Sequence, residues 1–188
     1  MMIRPLLSCF VAALLLTGCG APRFQVNTDR TMFLTGFYQY GAGDRDLRLV
    51  VRGNPYPALA KDDFDKIIEA DAQKGGMLQP PTRPRLRPDD SAKENFRMVL
   101  AFNPVKPLDA QDLCDNHPSA DAQSAEGELI IIAAFCVSGR AVSHTEAWIT
   151  SPNPRSADLA NLIAGIKSEL FRPDDTWQAS GGSSSTQQ

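Results

Sequence analysis

The stretch from Glu128 to Val137 constrains the fold more than any other part of the chain. Its odd-numbered residues are all apolar from Leu129 to Val137, and its even-numbered residues are apolar from Ile130 to Cys136. Because successive side chains of a strand point to opposite faces, a strand with this pattern is buried on both. The run is also too short to cross a bilayer as a helix, which takes about 20 residues. It therefore predicts a strand in the middle of a sheet that is covered, at least in part, on both sides.

The rest of the pattern predicts three more strands and two helices. A tight turn at residues 138–140 joins the central strand to another strand, Ala141–Thr150, and alternating apolar residues predict strands at Asp46–Arg52 and Asn95–Asn103. Apolar residues recur every three or four positions over Leu59–Lys74 and Ser156–Phe171, which is typical of amphipathic helices. We expect an α+β fold, a two-layer sandwich of about four mainly antiparallel strands and two amphipathic helices in the order βαβββα.

The N-terminus has the layout of a secretory signal peptide. Arg4 supplies a positive charge, and residues 5–16 are apolar except for Ser8. The run ends in Leu16-Thr17-Gly18-Cys19, which resembles the lipobox of bacterial lipoproteins. The resemblance implies that the signal is cut before Cys19 and that a diacylglycerol is attached to this cysteine through a thioether. The alternatives are a plain signal peptide with a chance cysteine and an uncleaved anchor, for which the run is short.

The resemblance also sets the domain organisation. Residues 1–18 are predicted to be the lipoprotein signal peptide, 19–44 the lipid anchor and tether, 45–173 a single α+β domain, and 174–188 a disordered tail. Within the tether, the aromatic-rich stretch Phe33–Tyr40 is a candidate edge strand. Gly20 follows the lipidated cysteine where enteric inner-membrane lipoproteins have aspartate. This implies the outer membrane, with the domain facing the periplasm.

Two cysteines, Cys114 and Cys136, remain after the signal and the lipid site are assigned. A pair of cysteines in an exported chain favours a disulfide, because the compartment is oxidising. A free buried pair and a redox couple are the alternatives. The close C-x-x-C spacing that is usual for a redox couple is absent from the sequence.

A loop rich in proline and arginine lies between the first helix and the second strand. Arg83, Arg85 and Arg87 alternate here with Pro84, Leu86 and Pro88, and the prolines favour polyproline II or an open loop. Three guanidinium groups on a stiff segment can meet an acidic partner, a lipid phosphate or a glycan carboxylate. The alternative is a solvated linker.

The sequence gives little sign of catalysis. His144 and Glu146 are expected on one strand face with Val142 and Trp148, whereas Ser143 points to the opposite face and so makes no nucleophile–base pair. His117 lies in a polar loop whose spacing matches no zinc pattern. We therefore expect no enzyme activity, no metal and no cofactor. A formal net charge of −3 argues against nucleic acid as a partner.

These observations favour a non-enzymatic, lipid-anchored, periplasm-facing protein that acts as a scaffold or accessory subunit of an envelope assembly, with a protein partner. The alternative is a lipid- or glycan-binding module with a groove between helices and sheet, and an enzyme comes third. The order of elements is similar to that of small envelope lipoproteins that assist assembly, such as the lipopolysaccharide-transport partner of the outer-membrane translocon. Asp46–Pro57 and Phe96–Pro104 also resemble stretches of small uncharacterised envelope proteins of proteobacteria, which implies no activity.

Overall fold

The computed structural model describes residues 23–26, 33–74, 81–115, 122–125, 127–150 and 153–172. The signal peptide, Cys19, His117 and the C-terminal tail lie outside these residues. The elements within them, in chain order, are β1 Arg23–Val26, α1 Leu34–Gly41, β2 Asp46–Arg52, α2 Lys61–Gln73, β3 Arg83–Arg85, β4 Phe96–Phe102, α3 Ala110–Cys114, β5 Glu128–Val137, β6 Arg140–Thr150 and α4 Ala157–Leu170.

The strands form one mixed six-stranded sheet in the order β1-β6-β5-β4-β2-β3. β2 runs parallel to both β3 and β4, and the remaining pairs are antiparallel. The prediction of four mainly antiparallel strands with two helices in the order βαβββα is therefore wrong. It missed four short elements, β1, α1, β3 and α3, because each is too brief to show a period in the sequence.

The predicted core strand is confirmed as β5, which lies between β4 and β6. One face of the sheet is covered by α1, α2 and α4, and we call it the helix face. The odd-numbered side chains of β5 from Leu129 to Phe135 belong to the large core on this face. Phe64 of α2 packs edge-on against Phe102 of β4, and Phe171 packs edge-on against Phe135, with ring centroids 4.9 Å apart in both pairs.

The two long helices form where the sequence predicted them. α4 begins at Ser156, whose hydroxyl accepts a hydrogen bond from the Leu159 amide, and α2 carries Asp62 and Asp63 in its first turn. The helices are joined by Lys167, a buried lysine whose Nζ donates to the carbonyl of Ala72 at 2.8 Å in the last turn of α2. Burial lowers the pKa of Lys167. None of the helices in the described residues is both long and apolar enough to cross a membrane.

Part of the predicted tether belongs to the fold. Arg23–Val26 pairs with β6 as an edge strand, and Phe24 lies over Gly165 of α4. Phe33–Tyr40 is not an edge strand, because the stretch from Leu34 to Gly41 is the helix α1, whose Leu34 and Tyr38 are buried in the main core. Its aromatic residues suggested a strand, but Leu34, Tyr38 and Gly41 are spaced three to four positions apart and form the buried side of a helix.

The two glycines of α1 give a matched test of this packing. A Cβ at Gly41 would overlap the ring of Phe96, whereas a Cβ at Gly36 would meet nothing within 4 Å. We expect Gly41→Ala to lower the free energy of unfolding by about 1–3 kcal/mol through overpacking. Gly36→Ala should raise it by about 0.4–1 kcal/mol, because alanine favours the helix. Urea denaturation of both variants checks this, and equal effects would contradict the placement of α1.

Candidate functional site on the open face

Of the helices in the described part of the chain, only the short α3 lies on the second face of the sheet, which we call the open face. Leu113 and Cys114 of this helix are buried in a small core together with Val99, Ala101, Ala134 and Cys136 from β4 and β5. The predicted disulfide is confirmed: Cys114 and Cys136 are joined, with their Cα atoms 5.5 Å apart. A five-residue helix has too little surface to hold itself on a sheet by packing alone. The covalent link therefore fixes its position.

Polar contacts hold both sides of α3. Asp109 caps its N-terminus and accepts from the Asp112 amide at 2.8 Å, in a reciprocal capping box. The side chain of Gln111 donates to the Gly139 carbonyl at 2.7 Å in the β5–β6 turn. Arg52 donates to the carbonyls of Asp112 and Asp115, and Arg97 donates to the carbonyl of Cys114.

The two arginines stabilise the C-terminus of α3, whose carbonyls carry partial negative charge. Burial, followed by the neighbouring charge of Arg97, lowers the pKa of Arg52, and Asp115 opposes this shift. The α3 terminus is thus held by two guanidinium groups.

Beside α3 the open face has two adjoining depressions of about 440 and 500 Å³, which share Ile132 and Glu146. We call them together the open-face groove. Its floor is β5 and β6, with half-buried Ile130 and Ile132. Its walls are α3 and residues 103–108, which include Val105, an apolar side chain that is 51% exposed.

The groove contains the two polar residues that the sequence placed on one strand face. His144 and Glu146 both line it, and the Ser143 hydroxyl points to the helix face, where it donates to the Leu170 carbonyl at 2.7 Å. The predicted separation of Ser143 from His144 is therefore confirmed. Val142, however, does not share their face: a register shift between Phe135 and Cys136 turns it into the main core. A bulge of this kind cannot be predicted from the alternation of apolar and polar residues in the sequence.

The charges around the groove are mostly acidic. Glu128 and Glu146 line one depression, Asp109 and Glu146 line the other, and Lys106 is the one lysine or arginine among the lining residues. Sequence reasoning missed Lys106 and Val105, because nothing in the segment 103–108 marks it as a wall. The isoleucines were visible in the even-numbered residues of β5. The groove thus combines an apolar floor with an acidic rim.

The three arginines of the proline-rich segment do not converge on one site. Arg83 and Arg85 lie in the edge strand β3 on the open face, and Arg83 pairs with the buried carboxylate of Asp46 at 2.9 Å. Arg87 lies beside α2, which covers the helix face, in a depression lined by the acidic residues Asp62, Asp65 and Glu69 of that helix. The prediction of an open or polyproline segment is wrong for Arg83–Arg85, because β2 offers an unpaired edge to which three residues bind.

In the described part of the chain, packed side chains fill the space between the helices and the sheet, where the sequence analysis placed a ligand groove. The aromatic side chains there are in contact, and Phe64, Phe102, Phe135 and Phe171 are all at most 2% exposed. Within the described residues, no three histidine, cysteine or acidic side chains are grouped so that they could hold a metal ion.

The disulfide can be tested through the position of α3. The double variant Cys114→Ser/Cys136→Ser should lose about 3 kcal/mol of unfolding free energy, because a loop of this length is no longer closed. Amide hydrogens of α3 should also exchange faster, while those of α4 should not. Full retention of stability, or equal changes in both helices, would contradict the role given to the disulfide.

Comparison with known proteins yields a likeness to solved structures and nothing closer. No family model and no curated protein matches the chain. The PelC dodecamer from Paraburkholderia phytofirmans is similar over 81% of this chain and 97% of its own, with 13% identity and a TM-score of 0.43. A single-residue variant of that dodecamer gives 14% identity and a TM-score of 0.42 over the same shares. These values are too low to transfer a function, a partner or an assembly to this chain.

Proposed function

We propose that the chain is a lipid-anchored envelope protein without enzyme activity, and that it docks a protein partner through the open-face groove. The observation that carries this is the groove itself, an apolar strip on the face of the sheet that the long helices leave uncovered. Side chains of this type in the middle of a sheet are normally covered. A protein segment with apolar side chains and a flanking lysine or arginine fits both the floor and the acidic rim.

Two features support a protein over a small ligand. The depressions are open to solvent, whereas small-molecule sites enclose most of their ligand. The exposed Val105 extends the apolar strip beyond the strands. An apolar centre inside a polar rim is the usual anatomy of a protein interface.

The lipid anchor places the groove close to a membrane. Only three residues lie between Cys19 and Arg23, where β1 begins, so the sheet edge can stand no more than about 14 Å from the lipidated residue, four residue steps away. β1 pairs with the segment of β6 that contains Glu146. A partner in or on the same membrane can therefore reach the groove without a long linker. The outer membrane, facing the periplasm, is the location that Gly20 favours.

The anchor is tested by Cys19→Ser. Serine has no thiol to form the thioether, so the variant should incorporate no label when cells are grown with a radioactive fatty acid, and it should keep its signal peptide. The wild-type chain should be labelled. Label that persists on the serine variant would overturn the anchor, as would an unlabelled wild-type chain.

The docking site is tested by crosslinking from position 105 in intact cells. A photo-reactive amino acid in place of Val105 should give one discrete protein adduct. Glu146→Lys should remove the adduct, because it turns an acidic rim that fits a basic segment into a repulsive one. Glu94→Lys is the matched control, since Glu94 is an exposed acid that lines neither depression.

The outcomes separate the candidate functions. Loss of the adduct in the Glu146 variant alone supports the proposal. An adduct that survives Glu146→Lys, or one that both variants remove, would overturn it. A lipid or glycan adduct in place of a protein would favour the second candidate, a lipid- or glycan-binding module.

A further inference from the structure

A row of three arginines crosses the open face on the other side of α3. Arg48 of β2 is in register with Arg85 of β3 and with Arg97 of β4. Partners in register point to the same face of a sheet, and neighbouring strands are about 4.8 Å apart. We call these three residues the arginine row. Like charges placed directly opposite each other destabilise a sheet, so the row is unfavourable by itself.

Three arginines of the open face have partners within the fold. Arg52 and the row member Arg97 donate to carbonyls at the end of α3, and Arg83 is paired with Asp46. The side chain of Arg48 is exposed, and it makes neither a hydrogen bond nor an ion pair with any described residue. The same is true of the side chain of Arg85. The central charge of the row is therefore left uncompensated within the described residues.

Asp89 interacts with Arg85, at the outer end of the row. Asp89 accepts two hydrogen bonds from Ser91, and these, with smaller effects of Arg83 and Arg85, lower its pKa. Asp89 is already engaged by Ser91, and its backbone amide donates to Asp46 at 3.1 Å. It offsets part of the charge of Arg85 and leaves Arg48 and Arg97 without a carboxylate.

We propose that the arginine row is a binding site for a phosphate group, with Arg48 as its central residue. Guanidinium groups bind phosphate oxygens through paired hydrogen bonds, and a phosphate monoester carries nearly two negative charges. A ligand of this charge balances the row better than a single carboxylate. The proposal goes beyond the docking function, because the site lies on β2, β3 and β4, about three strand spacings from Glu146.

The test compares the full chain, purified in non-ionic detergent, with Arg48→Gln and with the control Arg155→Gln. Arg155 is exposed in the segment before α4, so its loss removes the same charge away from the row. Inorganic phosphate should raise the melting temperature of the wild-type and Arg155 proteins above the value in sodium chloride of equal ionic strength. A ligand that binds only the folded state has this effect.

The Arg48 variant should behave differently in two ways. The rise in its melting temperature should require at least tenfold more phosphate. Without phosphate it should be no less stable than the wild type, because repulsion within the row is relieved. Arg85→Gln, at the edge of the sheet, provides a second variant with the same expected loss. A phosphate response equal in the Arg48 and Arg155 variants, or absent from the wild type, would overturn the site.

A second probe identifies the source of the phosphate. Dihexanoyl phosphatidic acid carries the same group on a soluble lipid. Binding at least tenfold tighter than inorganic phosphate would assign the site to lipid headgroups, and equal binding would assign it to the phosphate group alone. Binding of this lipid that is unaffected by Arg48→Gln would overturn the proposal, as the acyl chains would then be held elsewhere. None of these measurements needs the docking partner, so each proposal can fail without the other.

Discussion

The structure depends on burying both faces of β5. Its odd-numbered side chains take part in the core beneath α2 and α4, while Ala134 and Cys136 on the other face need a cover of their own. The chain supplies that cover with a helix of five residues, which has too few side chains to stay in place by packing. The disulfide, the Gln111 contact and two arginines complete its attachment. The groove beside α3 and the roles of Arg52 and Arg97 follow from where this helix is fixed.

The open-face groove is the part of β5 and β6 that α3 does not reach. Toward the turn, Cys136 and Ala134 lie under α3, and toward Glu128 the isoleucines are only half-buried. Residues 108–111, before and within the first turn of α3, line one of the two depressions, and the strip beyond them is only partly covered beside an acidic rim. The proposed docking site therefore depends on how little of the sheet this short helix covers.

Sequence reasoning was strongest where a period repeats over many residues. β5 and β2 were predicted at the bounds that they have, and α4 within one residue at each end. It failed where an element forms because of a neighbouring strand and not because of its own sequence pattern. Arg83–Arg85 contains a proline and reads as a loop, yet the free edge of β2 binds it. Val142 broke the expected alternation because a bulge in the hairpin turns it inward. The groove walls could not be predicted from the sequence for the same reason, since they depend on the attachment of α3 to the sheet.

The same dependence explains why the arginine row could not be found from the sequence. Arg48, Arg85 and Arg97 lie far apart in the chain, and only the parallel register of β2 with both of its neighbours aligns them. The residues that looked alike, Arg83, Arg85 and Arg87, are split between three environments by the short strand β3 and the bend that follows it. Of the aligned three, Arg97 donates to the end of α3, as Arg52 does, whereas the side chain of Arg48 makes no such contact. The position of α3 thus decides which arginines are used inside the fold and which remain available to a ligand.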